Sequence, residues 1–542
     1  MGKLQSTVAR ANSKLSIKVA AFLLAGSTLL SSVLGLVRDR QLNGLYYSTY
    51  PVGIDAYTVA FLVPDFMFFI LVSGALSVTF IPVFSQRLSD GNKKSAWELS
   101  TSILNLMALV TLITSILIII FADPLVRYVV GPGLDESGRA LAISMMRVIA
   151  VNPFLFSIAT VVASMQQAVG RFTFFAMAPA IYNTGIIIGA TVFTNGINLF
   201  GWQVFDGGIM GVALGVVLGS VMQLLVSCIG LIGMGFDYDF KIYWRNKGFL
   251  KVLSLLPARS LDQGIDYVNS IVETNLASRM AAGTIRAYQQ SSVLSYVPIN
   301  LIGVAISTAA FPKMAERLGQ HRPDLFKKEL QAVLRVIIWL AMPVTVIVFF
   351  GRGYLVNFIK NGGDVLMASI LGILAVAILF RSIYYIAARS FYAQQDTKTP
   401  LYISFLTIGL NISLAIWFTM GLNMGVYGLA WATAIVSIFE VIILFFMMSR
   451  RIKGLFDKAF MSAIVRMASA TGFTAFIMYI LVTLMPLSSS DKGFLATFPK
   501  FTLIATLSLL SYLLFSKLLD LEEVKPVIER VKKILFGRFR RA

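Results

Sequence analysis

Cysteine and histidine are almost missing from this chain: Cys228 and His321 are the only ones. One thiol cannot close a disulfide within a chain, and one thiol with one imidazole cannot fill a tetrahedral zinc site. Charge is scarce as well. Asp, Glu, Lys and Arg make up 13% of the residues against 57% hydrophobic, and mean hydropathy is +0.80, whereas soluble domains carry about 25% charged residues. No Walker lysine loop occurs, which excludes nucleotide hydrolysis by that route. No aspartate-rich run occurs either, of the kind a membrane prenyltransferase needs to hold Mg²⁺ against a diphosphate. Lys3, Arg10, Lys14 and Lys18 precede the first apolar run, but no small-residue cleavage site follows it, so it is expected to remain as a helix.

Apolar runs fill the 542 residues. A hydrocarbon core about 30 Å thick needs roughly 20 helical residues. Fourteen such runs begin near Ile17, Ala56, Leu99, Leu141, Phe174, Gly207, Phe249, Ile285, Leu330, Val365, Pro400, Gly425, Ala459 and Phe498. Lipid cannot satisfy open backbone groups, so the expected fold is an all-α integral membrane protein of about 14 transmembrane helices. The net charge of +20 does not signal nucleic-acid binding, because the basic residues alternate by loop. Arg87, Lys93 and Lys94 follow the second run, Lys241, Arg245 and Lys247 the sixth, Lys313, Arg317 and Arg322 the eighth, and Arg450, Arg451 and Lys453 the twelfth. The positive-inside rule then puts both termini in the cytoplasm. After Lys517, Val524, Val527, Ile528, Val531, Ile534 and Leu535 recur at helical spacing opposite Lys525, Arg530, Lys532 and Lys533. That is the pattern of an amphipathic basic helix lying on an anionic leaflet, with partner binding a second reading.

The halves resemble each other. Ala75, Ser77, Pro82 and Arg87 match Ala305, Ser307, Pro312 and Arg317 at an offset of 230, and Gly208, Gly211, Ala213, Ser220 and Gln223 match Gly425, Gly428, Ala430, Ser437 and Glu440 at 217. Six spans per unit give a parallel pseudo-twofold repeat, the plan of carriers that bind substrate between two lobes and rock. The expected division is an N-lobe at 1–240, a C-lobe at 241–452, two additional helices at 453–517 and the basic tail at 518–542.

Ionisable residues inside spans are costly and therefore candidate functional groups. Arg259, Asp262, Asp266, Asn269 and Glu273 are spaced 3, 4, 3 and 4 apart, on one face of the seventh helix. Thr28, Ser31, Ser32, Gly35, Arg38 and Asp39 form a milder stripe on the first. These two stripes are expected to line a polar cavity, with Arg147, Arg286 and Arg381 adding positive charge and Asp55 and Asp65 opposing it. Arginine binds phosphate oxygens in pairs and stays charged, so the ligand expected is phosphate-bearing. Snorkelling to the interface is an equal reading for Arg147 and Arg286.

Four strings carry a resemblance: SSVLGLVRD at 31–39, IDAYTVAFLVPD at 54–65, GRFTFFAMAPAIYN at 170–183 and FYAQQDTKTP at 391–400. Together they resemble the MurJ (MviN) family of lipid II flippases, within the multidrug/oligosaccharidyl-lipid/polysaccharide exporter group. Within the last string, Thr399 before Pro400 reads as a helix N-cap.

The resemblance implies a transporter, not an enzyme, that moves undecaprenyl-diphosphate-linked peptidoglycan precursor from the inner to the outer leaflet of a bacterial cytoplasmic membrane by alternating access. It implies cavity arginines on the diphosphate and a lipid-tail groove by the last two helices, and it makes the cell-wall synthesis machinery a candidate partner. Arg38, Asp39 and Asp55 match charged family positions. Ser32, Phe68 and Val293 stand where family members often carry arginine, so Arg259, Arg286 and Arg381 are expected to restore the charge. Some relatives couple to a cation, and Asp262 or Asp266 with Asn411 and Thr433 would offer oxygen ligands to Na⁺. Competing readings are a flippase for another polyprenyl-linked glycan, a drug/cation antiporter of the same superfamily, for which an acidic cavity would be expected, and a non-transporting scaffold.

Overall fold

The computed structural model describes residues 17–73, 79–199, 202–488 and 491–536. Contacts divide the chain into two compact units, Met1–Arg286 and Ala287–Ala542. This is a division by packing, different in kind from the repeat-based boundary at 240, which it does not test.

In the first unit, α1 (Ile17–Leu42) continues into a π-helical segment, Asn43–Tyr47. There follow α2 (Pro51–Phe68), α3 (Ile81–Ser89), α4 (Lys93–Pro124), α5 (Glu136–Ile149), α6 (Asn152–Ala168) and α7 (Thr173–Thr191). A hairpin of β1 (Ile197–Leu199) and β2 (Trp202–Phe205) leads to α8 (Met210–Ile229) and α9 (Lys247–Ala277). Small residues set the tightest packing. A Cβ on Gly185 of α7 would lie 2.3 Å from Cα of Gly219 on α8, and one on Gly189 would lie 2.5 Å from Cα of Gly215. Close backbone approach of this kind is how helices associate where lipid removes the hydrophobic drive. The apolar core of the unit gathers Val72 from the π-helical segment Phe69–Ser73 that follows α2, Phe80 just before α3, and Phe84, Leu99, Ile103, Val161 and Phe249 from α3, α4, α6 and α9.

The second unit begins within α10 (Thr284–Pro298), which passes through a π-segment, Ile299–Val304, into α11 (Ala305–Gly319). Then come α12 (Pro323–Ile359), α13 (Val365–Ala393), α14 (Lys398–Ile416), α15 (Val426–Arg451), α16 (Lys458–Leu484), α17 (Phe494–Leu518) and α18 (Val524–Phe536). Its core joins α12, α13, α15, α16 and α17. The last two long helices pack on α12, where Trp339 Nε1 donates to Ser516 Oγ at 3.1 Å.

Thirteen described helices are long and apolar enough to cross a membrane. The fourteenth expected run, from Phe249, is the 31-residue α9; it is absent from those thirteen and carries the polar stripe. One local expectation is corrected. Thr399 does not cap α14; it lies in the first turn, and its amide and hydroxyl both donate to the carboxylate of Asp396, at 3.0 and 2.6 Å. Asp396 does the capping because a carboxylate three residues upstream reaches a free first-turn amide and favours the positive helix end.

Candidate functional site: a charged network around Arg38

The end of α1 presents Arg38 and Asp39 side by side. Arg38 Nε and Nη2 donate to Asp39 Oδ1 at 3.2 and 3.1 Å, and Nη1 donates to Asn183 Oδ1 of α7 at 2.9 Å. Asn183 is itself held by α1, donating to Ser31 O at 3.2 Å and Ser31 Oγ at 3.3 Å. Of the five N–H groups of a guanidinium, three are thus engaged, and the side chain remains 26% exposed. A partly open, oriented fork of this sort suits phosphate oxygens.

Arg286, in the first turn of α10, is 3% exposed. Its Nη2 donates to Asp39 Oδ1 at 3.2 Å and its Nε to Asn43 Oδ1 at 2.9 Å. Burial and pairing exclude the snorkelling reading for this arginine. Asp55, 2% exposed, accepts from the amides of Gly283 at 2.6 Å and Arg286 at 2.8 Å. It therefore caps α10 from a different helix, placing a carboxylate at the positive end of the dipole. Gly283 sits at φ +91, left-handed territory that favours glycine. Asn43 is available because the π-segment widens the helix at that point; such segments recur at functional sites. Of the two arginines in this network, only Arg38 opens outward.

The remaining candidates separate. Arg147 is exposed near the end of α5 and makes no hydrogen bond among the described residues. The side chain of Asp65, half-buried on α2, makes none there either, but it interacts electrostatically with Arg38. The side chains of Arg259, Asp262 and Asp266 lie outside the described residues; of that stripe, Asn269 donates to Glu273 at 2.9 Å. In the second unit Arg381 lies 3.5 Å from Glu440, which is 4% exposed and accepts from Thr407 at 3.1 Å. Asn411 is buried, and Thr433 Oγ1 lies 3.4 Å from Tyr288 Oη. Among the positions that lack the family arginine, Ser32 bonds Thr28 O at 2.9 Å, Phe68 packs edge-on with Phe156 at 5.5 Å, and Val293 is exposed.

Three partners were not singled out as site residues from sequence: Asn43, Asn183 and Glu440. The two amides carry no charge, and an asparagine within a span gives no signal of its partner. Glu440 did carry a signal, a lone carboxylate in an apolar span at the repeat position of Gln223.

The sequence profile of the family described as "Lipid II flippase MurJ" matches residues 51–500. A probable lipid II flippase MurJ of Thermotoga maritima is 28% identical over 523 residues, covering 95% of this chain and 98% of that protein. One from Borreliella burgdorferi is 24% identical over 440 residues, covering 80% and 83%. Among solved structures, lipid II flippase MurJ in an inward closed conformation superposes with a TM-score of 0.72 at 22% identity, covering 92% of this chain and 98% of that one. An inward-facing MATE family transporter of the MOP superfamily gives 0.65 at 16%, covering 79% and 96%. These two likenesses establish the fold. A profile match over most of the chain, on a helical membrane fold with this charged network, establishes the family: the chain belongs to the MurJ family, transporters rather than enzymes.

Proposed function

We propose that the protein moves a polyprenyl-diphosphate-linked peptidoglycan precursor, lipid II, from the inner to the outer leaflet of the bacterial cytoplasmic membrane by alternating access. The observation that carries this reading is Arg38: a guanidinium held by Asp39 and Asn183 with N–H groups to spare and a quarter of its surface open. Its counter-charges are already arranged, so a diphosphate meets a donor that needs no reorganisation, in a setting where unpaired charge is costly. The relatives named as lipid II flippases supply the headgroup.

Complementation in a bacterium depleted of its own lipid II flippase tests the reading. Wild type is expected to restore growth and Arg38→Ala to fail at equal membrane abundance. Failure of well-expressed wild type, with a sequence-matched relative succeeding in the same host, would refute lipid II as cargo.

The membrane potential is one energy source, at about 2.3 kcal/mol per elementary charge per 100 mV. Sodium is a second, with Asp262 or Asp266 of α9 the carboxylate expected to serve it. Sodium-independent transport by the wild type, with no effect of Asp266→Asn, would remove that source.

A further inference from the structure

Away from the Arg38 network, the first unit contains a cavity of about 630 Å³ where the loop before α9 meets α3 and α4. Its lining includes Arg87, Glu98, Tyr243, Trp244, Arg245 and Lys247. The charge there is unbalanced. Glu98 is the single carboxylate in the lining, and it accepts from the side-chain amide of Asn246 at 3.4 Å, not from a cation. Asp239 nearby is occupied by Tyr243 at 2.8 Å and Lys241 at 3.5 Å. Arg245 and Lys247 are exposed, and their side chains form no ion pair or hydrogen bond among the described residues. Arg87 donates to the hydroxyl of Ser95 rather than to a carboxylate.

These cations also gather at the wrong end of a helix. Asn246 caps α9 through bonds from the amides of Gly248 at 3.0 Å and Phe249 at 3.3 Å, and the first turn has no acidic residue. The N-terminus of a 31-residue helix favours anions and is disfavoured by neighbouring cations. A Cβ on Gly248 would lie 2.4 Å from Arg87 Nε, so the missing side chain makes the room in which that guanidinium rests against the helix start. Three cations and a positive dipole end, with one carboxylate between them, are an arrangement completed by a bound anion.

We infer that this cavity binds a phosphate group, held by Arg87, Arg245 and Lys247 beside the rings of Tyr243 and Trp244. Two guanidiniums and an ammonium suit a multi-oxygen anion. Trp244, 56% exposed, is the amphipathic ring that settles at a membrane interface, and basic pockets on the cytoplasmic side of spans take anionic lipid headgroups. The two sources sharing this chemistry are a phospholipid headgroup and free phosphate. The inference is independent of what the Arg38 network transports.

The test uses the purified full-length protein. Retention of phosphatidylglycerol is read by native mass spectrometry from phosphatidylcholine nanodiscs with and without that lipid, and inorganic phosphate is titrated in parallel by thermal shift in detergent. Arg245→Gln/Lys247→Gln removes two exposed charges and leaves the unliganded melting midpoint in place. Gly248→Ala keeps every charge but displaces the Arg87 guanidinium. The charge-matched control is Lys453→Gln/Lys458→Gln, exposed and outside the cavity. Affinity is expected to fall at least about tenfold in the first variant, severalfold in the second, and not in the control. Variant-dependent binding of the lipid alone identifies the headgroup; variant-dependent binding of inorganic phosphate that displaces the lipid identifies free phosphate. Equal binding of both probes to wild type and the double variant, or no binding of either to wild type, would overturn the site.

Discussion

Arg286 shows how a buried charge is retained in an apolar protein. It is almost fully covered, yet its guanidinium reaches Asp39 and Asn43 while its own amide is held by Asp55. Removing one member of such a set leaves the other charge buried and short of a partner, a loss of about 3–5 kcal/mol. Arg286→Ala is therefore expected to lower the thermal midpoint markedly. Arg286→Ala combined with Asp39→Asn should recover part of that loss, because coupled residues are not additive. A midpoint unchanged by Arg286→Ala would mean that the network does not hold α10 to α1. The arginines and aspartates of this network stood out in the sequence because charge inside a span is conspicuous. Their neutral partners did not, since Asn183 joins Arg38 across 145 positions and nothing in either local pattern announces that meeting.

At the scale of an element, the join between α13 and α14 gives the string FYAQQDTKTP a physical meaning. Gln395 takes a left-handed φ of +61, which ends α13. Asp396 then caps α14 and accepts from Arg451 Nη2 at 2.6 Å, tying the turn to the end of α15. Burial works against the Asp396 charge, but the hydroxyl and amide of Thr399 and the Arg451 guanidinium outweigh it and hold the carboxyl at about 2. An unfolded aspartate titrates near about 3.9. With the folded value depressed, the stabilisation is complete above about pH 4 and is lost as pH falls through about 2. The midpoint difference between wild type and Asp396→Asn should accordingly be constant at neutral pH and shrink on acidification below about pH 4. A difference that grows with acid would contradict the pairing. The sequence pointed to a cap here but at Thr399, because Thr before Pro is the commoner N-terminal signal and Asp396 acts from further upstream.

At the scale of the whole molecule, hydropathy made the class and the span count legible, since 20-residue apolar runs have few other uses. Thirteen of the fourteen expected spans meet the apolar criterion in the structure. The other, α9, is helical, and its stripe of charge marks it as a helix that cannot face lipid on all sides. The repeat was read through small residues; of these, Gly211 lies where a Cβ would come within 2.5 Å of the Phe193 backbone, whereas the glycines that join α7 to α8 lie outside it. The fold, the family and the charged residues of α1 could therefore be read from sequence. The tie between Asp55 and the start of α10 could not, because it depends on a helix terminus meeting a carboxylate 228 positions away. The central claim is that Arg38 engages the diphosphate of the transported lipid.

The direct measurement is translocation of fluorescent lipid II into proteoliposomes by wild type, Arg38→Lys and Arg38→Ala, at matched reconstitution and with folding checked by melting midpoint. If Arg38 supplies a planar fork, Arg38→Ala should abolish transport, and Arg38→Lys, which keeps the charge but loses the bidentate geometry, should retain only a small part of it, about a tenth or less. Transport at the wild-type rate by folded Arg38→Ala protein would contradict the account.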